Sequence, residues 1–561
     1  MVSNYFIFFV SYFLIILSTI GHGLLGIKLF KIKIPTNEIG FVGLSGVFFL
    51  ILYSYISHFF FNHGYILNLI LLFIGFVSLI FFKSQIIDKK NLTYIFLVFS
   101  IIFVAFIIYK THDDFRYYHF PYSYYLNEFS MVIGVGSLNH GFKTPSSIFY
   151  LNSLFYFPYI EYHLYHISAV LIMGFSNIIL ISNIKKCLEN NKRDHFFFLN
   201  LLAFLFINIF FYRIAEHGTD RSAQILIFIF FIYIFSLREN YKRFEIEISK
   251  LIILMSIIIS LKSFYIIYLI FLIPFIYYIY NDKKFDLLKK IFQNKIFYLS
   301  TLMGLCILLV SFFNTGCLLY PIQQTCFTMV EWSIPKSEVV RLNIHYQWWS
   351  KAGGGPGYKS PVEPELYIQN FYWLKDWINR YFFTKVSDLI ASLSLVSIIF
   401  IILFKTKKII SKNKFFKKNK FYYYFILLLL LEWFLYHPAL RYGGYIIFSL
   451  IFFIPLSFFL SDYIVSKNFK PKVTILLLLI TTIFLGRNID RILYELSFYN
   501  ANFKQNTHFF IDEGHFRIDK KLKSFSNNYD NCVQGNDRCI ENKEFIIKKT
   551  YGKLIITKVR N

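Results

Sequence analysis

Charged residues are scarce in this chain, at 16% of its 561 positions, where a soluble domain carries about a quarter. That shortage excludes an ordinary soluble fold. No Cys-x-x-Cys pair and no His-Glu-x-x-His run occurs, so the common zinc sites are excluded and no metal ligand set is expected. The glycine run Gly134-Val135-Gly136-Ser137 is not followed by Gly-Lys-Ser/Thr, which excludes a nucleotide-binding phosphate loop. No internal repeat is visible, which counts against a transporter built from matching halves. The first apolar run, 5–25, has no basic segment before it and is followed by further apolar runs. It is expected to be a first transmembrane helix and not a cleaved signal peptide.

What abounds is apolar surface. Hydrophobic residues make up 56% of the chain and aromatics 22%. Apolar runs of about 15 to 22 residues recur from end to end, close to the length a helix needs to cross lipid. Every backbone N–H and C=O in lipid must be paired within its own segment, so the expected class is all-α, a polytopic transmembrane helical protein. A formal net charge of +26 would suggest nucleic acid in a soluble protein. Here the lysines cluster in short loops between apolar runs, so the expected partner is the lipid bilayer and not nucleic acid.

Basic residues mark cytoplasmic loops. The clusters are Lys28/Lys31/Lys33, Lys83/Lys89/Lys90, Lys185/Lys186/Lys192/Arg193, Arg238/Lys242/Arg243, Lys283/Lys284/Lys289/Lys290, the Lys405–Lys420 stretch and Lys467/Lys470/Lys472. All fall on one side if spans lie near 5–25, 39–60, 64–82, 92–109, 161–183, 195–212, 222–237, 296–313, 387–404, 421–436, 445–461 and 472–486. The apolar stretch 251–280 must then leave and return, as two short helices meeting near Leu261-Lys262-Ser263. One long tilted helix there would throw the later lysine clusters outside. The expected total is about fourteen crossings, each of helical span length, with both termini outside. A transmembrane domain then covers 1–486, with external loops 110–160 and 314–386, and a small external subdomain covers 487–561.

Cys317 and Cys326 share one external loop, Cys532 and Cys539 share the tail, and Cys187 and Cys306 fall in a cytoplasmic border and a span. Close pairs outside and none inside fit an oxidising compartment, so disulfides are expected between Cys317 and Cys326 and between Cys532 and Cys539, against chance proximity. In the first external loop, Tyr117 to Phe129 is expected to form an amphipathic helix lying on the membrane, and Ser146 to Phe157 a second, shallow one.

Acids beside a bilayer are expensive and usually mark a pathway or a reaction centre. Asp113 and Asp114 stand just past the fourth apolar run, in Thr111-His112-Asp113-Asp114-Phe115-Arg116-Tyr117-Tyr118-His119. Further on come Gly134-Val135-Gly136-Ser137-Leu138-Asn139-His140-Gly141-Phe142, then Ser146-Ser147, then Gly316-Cys317-Leu318-Leu319-Tyr320-Pro321 with Cys326, then Pro438 to Tyr442 and the paired cysteines of the tail. Together these short motifs, spread over most of the chain, resemble a bacterial branch of the GT-C superfamily. Those are polytopic glycosyltransferases with an acid at the start of the first large external loop. The resemblance implies a GT-C-like fold and transfer of a sugar from a polyprenyl-phosphate-linked donor to an envelope glycan, lipid or protein acceptor. It also implies action at the external face of the bacterial inner membrane. No second Asp-x-Asp motif stands in a later external loop, so a divalent metal, used by some members, has no support as a cofactor.

Such a transfer needs a base for the acceptor hydroxyl, positive groups for the leaving phosphate and an apolar groove for the isoprenoid. The resemblance aligns Asp114 with the family acid as general base, with Asp113 as the alternative or as an orienting neighbour. On residues alone the pair equally suits the cap of a helix starting near Phe115. Asp220, in His217-Gly218-Thr219-Asp220-Arg221, is a candidate second acid, or else an N-cap or the partner of Arg221. Lys262 and Arg441 are candidates for the donor phosphate, against snorkelling for the lysine and a helix-end anchor for the arginine. His119, Asn139 and His140 are candidates to line the sugar and acceptor site, or are hydrogen-bonded structural groups. His345 and Trp348-Trp349 either stack on a sugar or rest on lipid head groups.

Two other classes stay open. An O-antigen-type polymerase or ligase is expected to rely on Arg and His of a late loop, and 314–386 holds Arg341, His345 and Arg380. A polytopic transporter or flippase calls for broken helices with charges at mid-membrane, whereas the acids here lie at helix ends on one face.

Overall fold

Apolar runs of this length close their own hydrogen bonds only as helices, and each expected span is helical. A computed structural model describes residues 5–82, 89–108, 110–237, 243–355, 358–407, 414–464, 468–498, 525, 538–541, 545–550 and 553–558. Among them, 10 helices are long and apolar enough to cross a membrane, and Asn91–Phe106 and His195–Phe210 are shorter apolar helices. The molecule is predominantly helical, with the composition and helix lengths of an integral membrane protein.

The stretch 251–280 does turn back on itself. Helix Phe244–Leu261 stops at Lys262, whose backbone is extended at φ −154° and ψ 115°. The chain resumes as a 3-10 segment, Ser263–Phe271, leading into helix Leu272–Asn281. The rings of Phe244 and Phe275 stack with centroids 6.4 Å apart, so the second half returns alongside the first and leaves Lys262 at the tip.

Lipid tails are as apolar as leucine, so helices in a bilayer associate through close packing of small residues. The first two helices, Tyr5–Leu29 and Ile39–His58, use glycine in this way. A Cβ on Gly23 would lie 2.0 Å from the Val42 carbonyl oxygen, and one on Gly46 1.9 Å from that of Thr19. No side chain fits at either position.

Contacts gather the lysine-bearing loops at one end of the bundle. Lys33 and Lys290 both pair with Glu245, and Lys250 reaches Glu38 at 2.7 Å and Glu247 at 3.2 Å. Arg193 donates to the carbonyls of Ile464 and Phe404, and Lys472 to that of Leu403 at 2.9 Å.

The opposite end carries the loop 110–160, where expectation and structure part. Helices Phe120–Glu128 and Ser147–Ser153 do form, but they are wedged into the protein instead of floating on lipid. Tyr122, Tyr125 and Leu126 are buried, as is every residue of Ser147–Ser153. Their polar groups explain why: Ser146 Oγ donates to the Leu261 carbonyl and Ser260 Oγ to Ser147 Oγ. Asn127 donates to the His63 and Ser153 carbonyls at 2.6 and 2.7 Å. Protein partners, which a surface helix would lack, hold these segments inside.

The C-terminal part also departs from an all-α chain. Helix Phe469–Phe498 runs through the expected boundary at 486/487, held there by Arg491 on Glu216 at 2.7 Å and by Arg487 over the Tyr212 ring at 3.6 Å. Strands Arg538–Glu541, Phe545–Thr550 and Lys553–Lys558 then form an antiparallel sheet. Its last strand docks on the loop 110–160: Ile133 N–H donates to Leu554 O at 2.9 Å and Ile556 N–H to Ile133 O at 2.8 Å. Cys317 and Cys326 are joined in a disulfide, and Cys187 and Cys306 are free and buried. The expected Cys532–Cys539 pair falls outside the described side chains.

Candidate functional site

Beyond helix Lys89–Phe106 the chain enters a π turn, Phe115–His119, directly after Asp114. The Asp114 carbonyl accepts from the amides of Tyr117, Tyr118 and His119 at 3.1, 3.1 and 3.3 Å. The last of these is the i to i+5 bond that brings residue 119 back over residue 114, and such wide turns recur at functional sites. The Asp114 side chain makes no capping hydrogen bond, so capping is not its role. Its Oδ2 accepts from the Tyr118 hydroxyl at 3.3 Å and lies 3.8 Å from His112 Nδ1. The Asp114 amide donates to that same Nδ1 at 3.0 Å. The carboxylate is 35% exposed, open enough for a hydroxyl to reach it, and Asp113 beside it is exposed.

Three other elements bring charge to this place. Asp220 opens helix Asp220–Leu237 and Lys262 follows its neighbour Phe244–Leu261, so the hairpin of the two helices sets them side by side in an ion pair. The ion-pair partner of Asp220 is therefore Lys262, and not Arg221, the partner considered beside its reading as a second acid. The Lys262 ammonium also lies 4.4 Å over the Tyr442 ring. Arg441 is sandwiched against Trp349 at 4.4 Å and Tyr442 at 4.9 Å and donates to the Tyr442 hydroxyl at 2.9 Å. Its Nε is buried without a hydrogen-bond partner among the described residues. Trp349 thus stacks on the arginine.

These groups share one electrostatic environment. Burial lowers the pKa of His112, Asp114 and Asp220 oppose that fall, and Arg221 and Arg441 add to it. Burial holds His119 well below its ordinary value, and the like charges of His112, His166 and Lys262 push the same way. Burial holds the Tyr118 phenol well above the usual range, Asp114 raising it further and Arg441 opposing. Tyr118 therefore stays a hydrogen-bond donor to the carboxylate. Asp114, Asp220, Lys262 and Arg441, distant in sequence, meet at this end of the bundle.

The remaining predicted residues stand apart. Asn139 donates to the Tyr117 carbonyl at 3.0 Å and accepts from the Gly141 amide at 2.8 Å, a backbone support. His140 packs on Tyr117 and Tyr118 with centroids 4.8 and 6.0 Å away. Arg380 stacks on Tyr358 at 3.3 Å, and the His345 ring lies 5.7 Å from that of Trp348. His119 does belong to the centre, its ring stacked on His112 with centroids 5.4 Å apart. His112 itself was missed in the sequence, although the spacing His112-x-Asp114-x4-His119 was there to be read.

An apolar cavity of about 340 Å³ lies beside this centre, between the Lys262 hairpin and helix Lys295–Thr315. Leu251, Met255, Ile259, Tyr268, Phe271 and Met303 contribute to its walls. Ile259 is one helical turn before Lys262. Tyr268 packs on Tyr265 at 5.8 Å, and the Tyr265 hydroxyl donates to the Arg441 carbonyl at 3.4 Å. The cavity thus approaches the backbone of Lys262 and Arg441, and neither side chain lines it.

No curated protein and no solved structure matches the chain. Residues 6–448 match the model of a family described as a domain of unknown function (DUF8201), and the chain belongs to that family.

Proposed function

We propose that this DUF8201 protein is a membrane glycosyltransferase of GT-C type. It moves a sugar from a polyprenyl-phosphate-linked donor to an envelope glycan, lipid or protein at the external face of the bacterial inner membrane. The observation that carries this is the meeting of a reachable carboxylate and two cations at one end of the bundle, with an apolar cavity running along the helix that ends at Lys262. In this scheme the chain crosses the membrane about fourteen times by helices of spanning length, with its lysine-bearing loops in the cytoplasm.

The chemistry follows from the groups. Asp114 takes the proton of the acceptor hydroxyl as that oxygen attacks the anomeric carbon, and Tyr118 holds the carboxylate in place. The bond from the anomeric carbon to the donor phosphate breaks, and Lys262 and Arg441 meet the charge that builds on the leaving phosphate. Asp220 keeps Lys262 oriented until the phosphate arrives. The apolar cavity takes the first isoprene units, so that binding energy from the lipid aligns the reacting atoms.

The test compares envelope glycans from cells carrying the wild-type gene, no gene, or the Asp114→Asn variant, with membrane levels of the protein matched. A glycan lost on deletion and equally lost in the variant is expected. A deletion phenotype that Asp114→Asn fully rescues removes Asp114 as the base. Unaltered glycans on deletion remove the transferase proposal itself.

A further inference from the structure

We propose that His112, Asp114 and His119 form a binding site for one divalent ion of the first transition row, such as Zn2+ or Co2+. One atom from each side chain lies within 4.8 Å of the others. Three atoms so placed fit around a point no more than about 2.8 Å from each, which is 4.8 Å divided by √3. Ligand bonds of about 2.0–2.2 Å then require each side chain to close by well under an ångström.

The details of the cluster favour ligation. Asp114 N–H donates to the His112 Nδ1 lone pair at 3.0 Å, so ligation through Nδ1, which lies 3.8 Å from the carboxylate, exchanges that hydrogen bond for the metal bond. The Asp114 carboxylate is not engaged by a helix cap, and it accepts from Tyr118, an outer partner of the kind that orients a metal-bound carboxylate. Gly218 packs against both rings: a Cβ there would lie 3.4 Å from His112 Cδ2 and 3.4 Å from His119 Cε1. A cavity of about 20 Å³, lined in part by His112, His119 and Gly218, is large enough for one water molecule.

Ligand chemistry selects the ion. Two imidazoles with one carboxylate suit first-row divalent metals, whereas Mg2+ and Ca2+ prefer oxygen donors throughout. The neighbouring cations Arg221, Lys262 and Arg441 oppose a metal ion, and Asp220 offsets only one of them. The site is therefore weaker than a closed structural zinc site, and it gains from any anion held by the same cations. Metal binding goes beyond the transferase proposal and is read without any sugar transfer, so the two fail separately. Where both hold, the ion lowers the pKa of a hydroxyl bound to it and shares the deprotonation assigned to Asp114.

The full-length protein in detergent, stripped with a chelator and confirmed monodisperse, is titrated with Co2+ while its visible ligand-field bands are followed. Zn2+ content is measured in parallel after equilibrium dialysis. The expected result is close to one ion per chain. His112→Ala and His119→Ala are each expected to weaken binding tenfold or more, as loss of a ligand does, and His345→Ala to leave it unchanged. His112→Ala, at a partly exposed ring, keeps the test intact if the buried His119→Ala variant does not fold. Absence of stoichiometric binding to the folded wild type overturns the proposal, and so does binding to folded His112→Ala as tight as to wild type.

Discussion

The two ends of this helical bundle treat charge differently. At the lysine-bearing end the buried cations are held by partners of their own. Lys250, only 2% exposed, sits between Glu38 and Glu247 with the rings of Phe41 and Tyr233 each 4.9 Å away. Arg193 leaves its Nε unpaired but gives both other nitrogens to carbonyls. At the acidic end, Asp114, Asp220, Arg221 and Arg441 all act on one imidazole. There Arg221 Nη1, Arg441 Nε and His217 Nδ1 are buried without a hydrogen-bond partner among the described residues. A buried polar group left unpaired costs about 1–3 kcal/mol, so three of them in one neighbourhood oppose stability. Paired cations anchor a fold; converging charges with spare hydrogen-bonding capacity suit a site that takes a ligand.

The largest effects should separate the ends cleanly. Asp114→Asn is expected to lower sugar transfer by about 10²–10⁴-fold, the range for loss of a general base, with an unchanged melting temperature. Lys250→Met should do the reverse. Removing one member of a buried ion pair costs about 3–5 kcal/mol, visible as a lower melting temperature in detergent, while turnover per folded molecule is retained. Turnover lost in Lys250→Met at unchanged stability would break the comparison.

A smaller effect sharpens the roles at the acidic end. Lys262→Gln keeps a hydrogen-bond donor near Asp220 but removes the charge offered to phosphate. Transfer should fall by about 10- to 100-fold, roughly 1.4–2.8 kcal/mol at a tenfold per 1.36 kcal/mol, mostly as a higher KM for the lipid-linked donor. An unaltered donor KM with a lower melting temperature would make Lys262 a structural partner of Asp220 and nothing more.

How much of this was legible in the sequence depends on what fixes each element. The helices were, because an apolar run in lipid has no other way to satisfy its backbone. The turn at Lys262 followed from keeping all lysine clusters on one side. The burial of Tyr122 and Tyr125 was not, since a chain with 22% aromatics does not distinguish rings that face lipid from rings that face protein. The sheet formed by Phe545–Thr550 and Lys553–Lys558 depends on Ile133, more than four hundred positions earlier, as a docking edge. Asp114, Asp220, Lys262 and Arg441 were readable as expensive charges gathered on one face, but the pairing of Asp220 with Lys262 was not. It needs helix neighbours that no local pattern encodes, and Trp349 under Arg441 is a product of the same tertiary packing.

The smallest predicted effect comes from acid. His217 is buried at the acidic end, its Nε2 donating to the Phe211 carbonyl at 2.7 Å. Burial lowers its pKa from 6.5 to about 3, the carbonyl bond opposing and the Arg221 charge adding. In the unfolded chain the same imidazole takes a proton near pH 6.5, so below that pH the unfolded state binds more protons than the folded one. The contribution of His217 to stability is complete above pH 6.5 and declines as the pH falls toward 3, by about 1.4 kcal/mol per unit. Between pH 6.5 and 5.5, where the unfolded imidazole goes from half to almost fully protonated, the wild type should therefore lose about 1 kcal/mol of stability through this group, read from denaturation in detergent at the two pH values. His217→Gln, whose amide keeps a donor for the Phe211 carbonyl but does not titrate, should lose correspondingly less over the same interval. Equal losses in both proteins would mean that the folded protein protonates His217 readily, and the contrast between a buried acidic end and a solvated one would weaken with it.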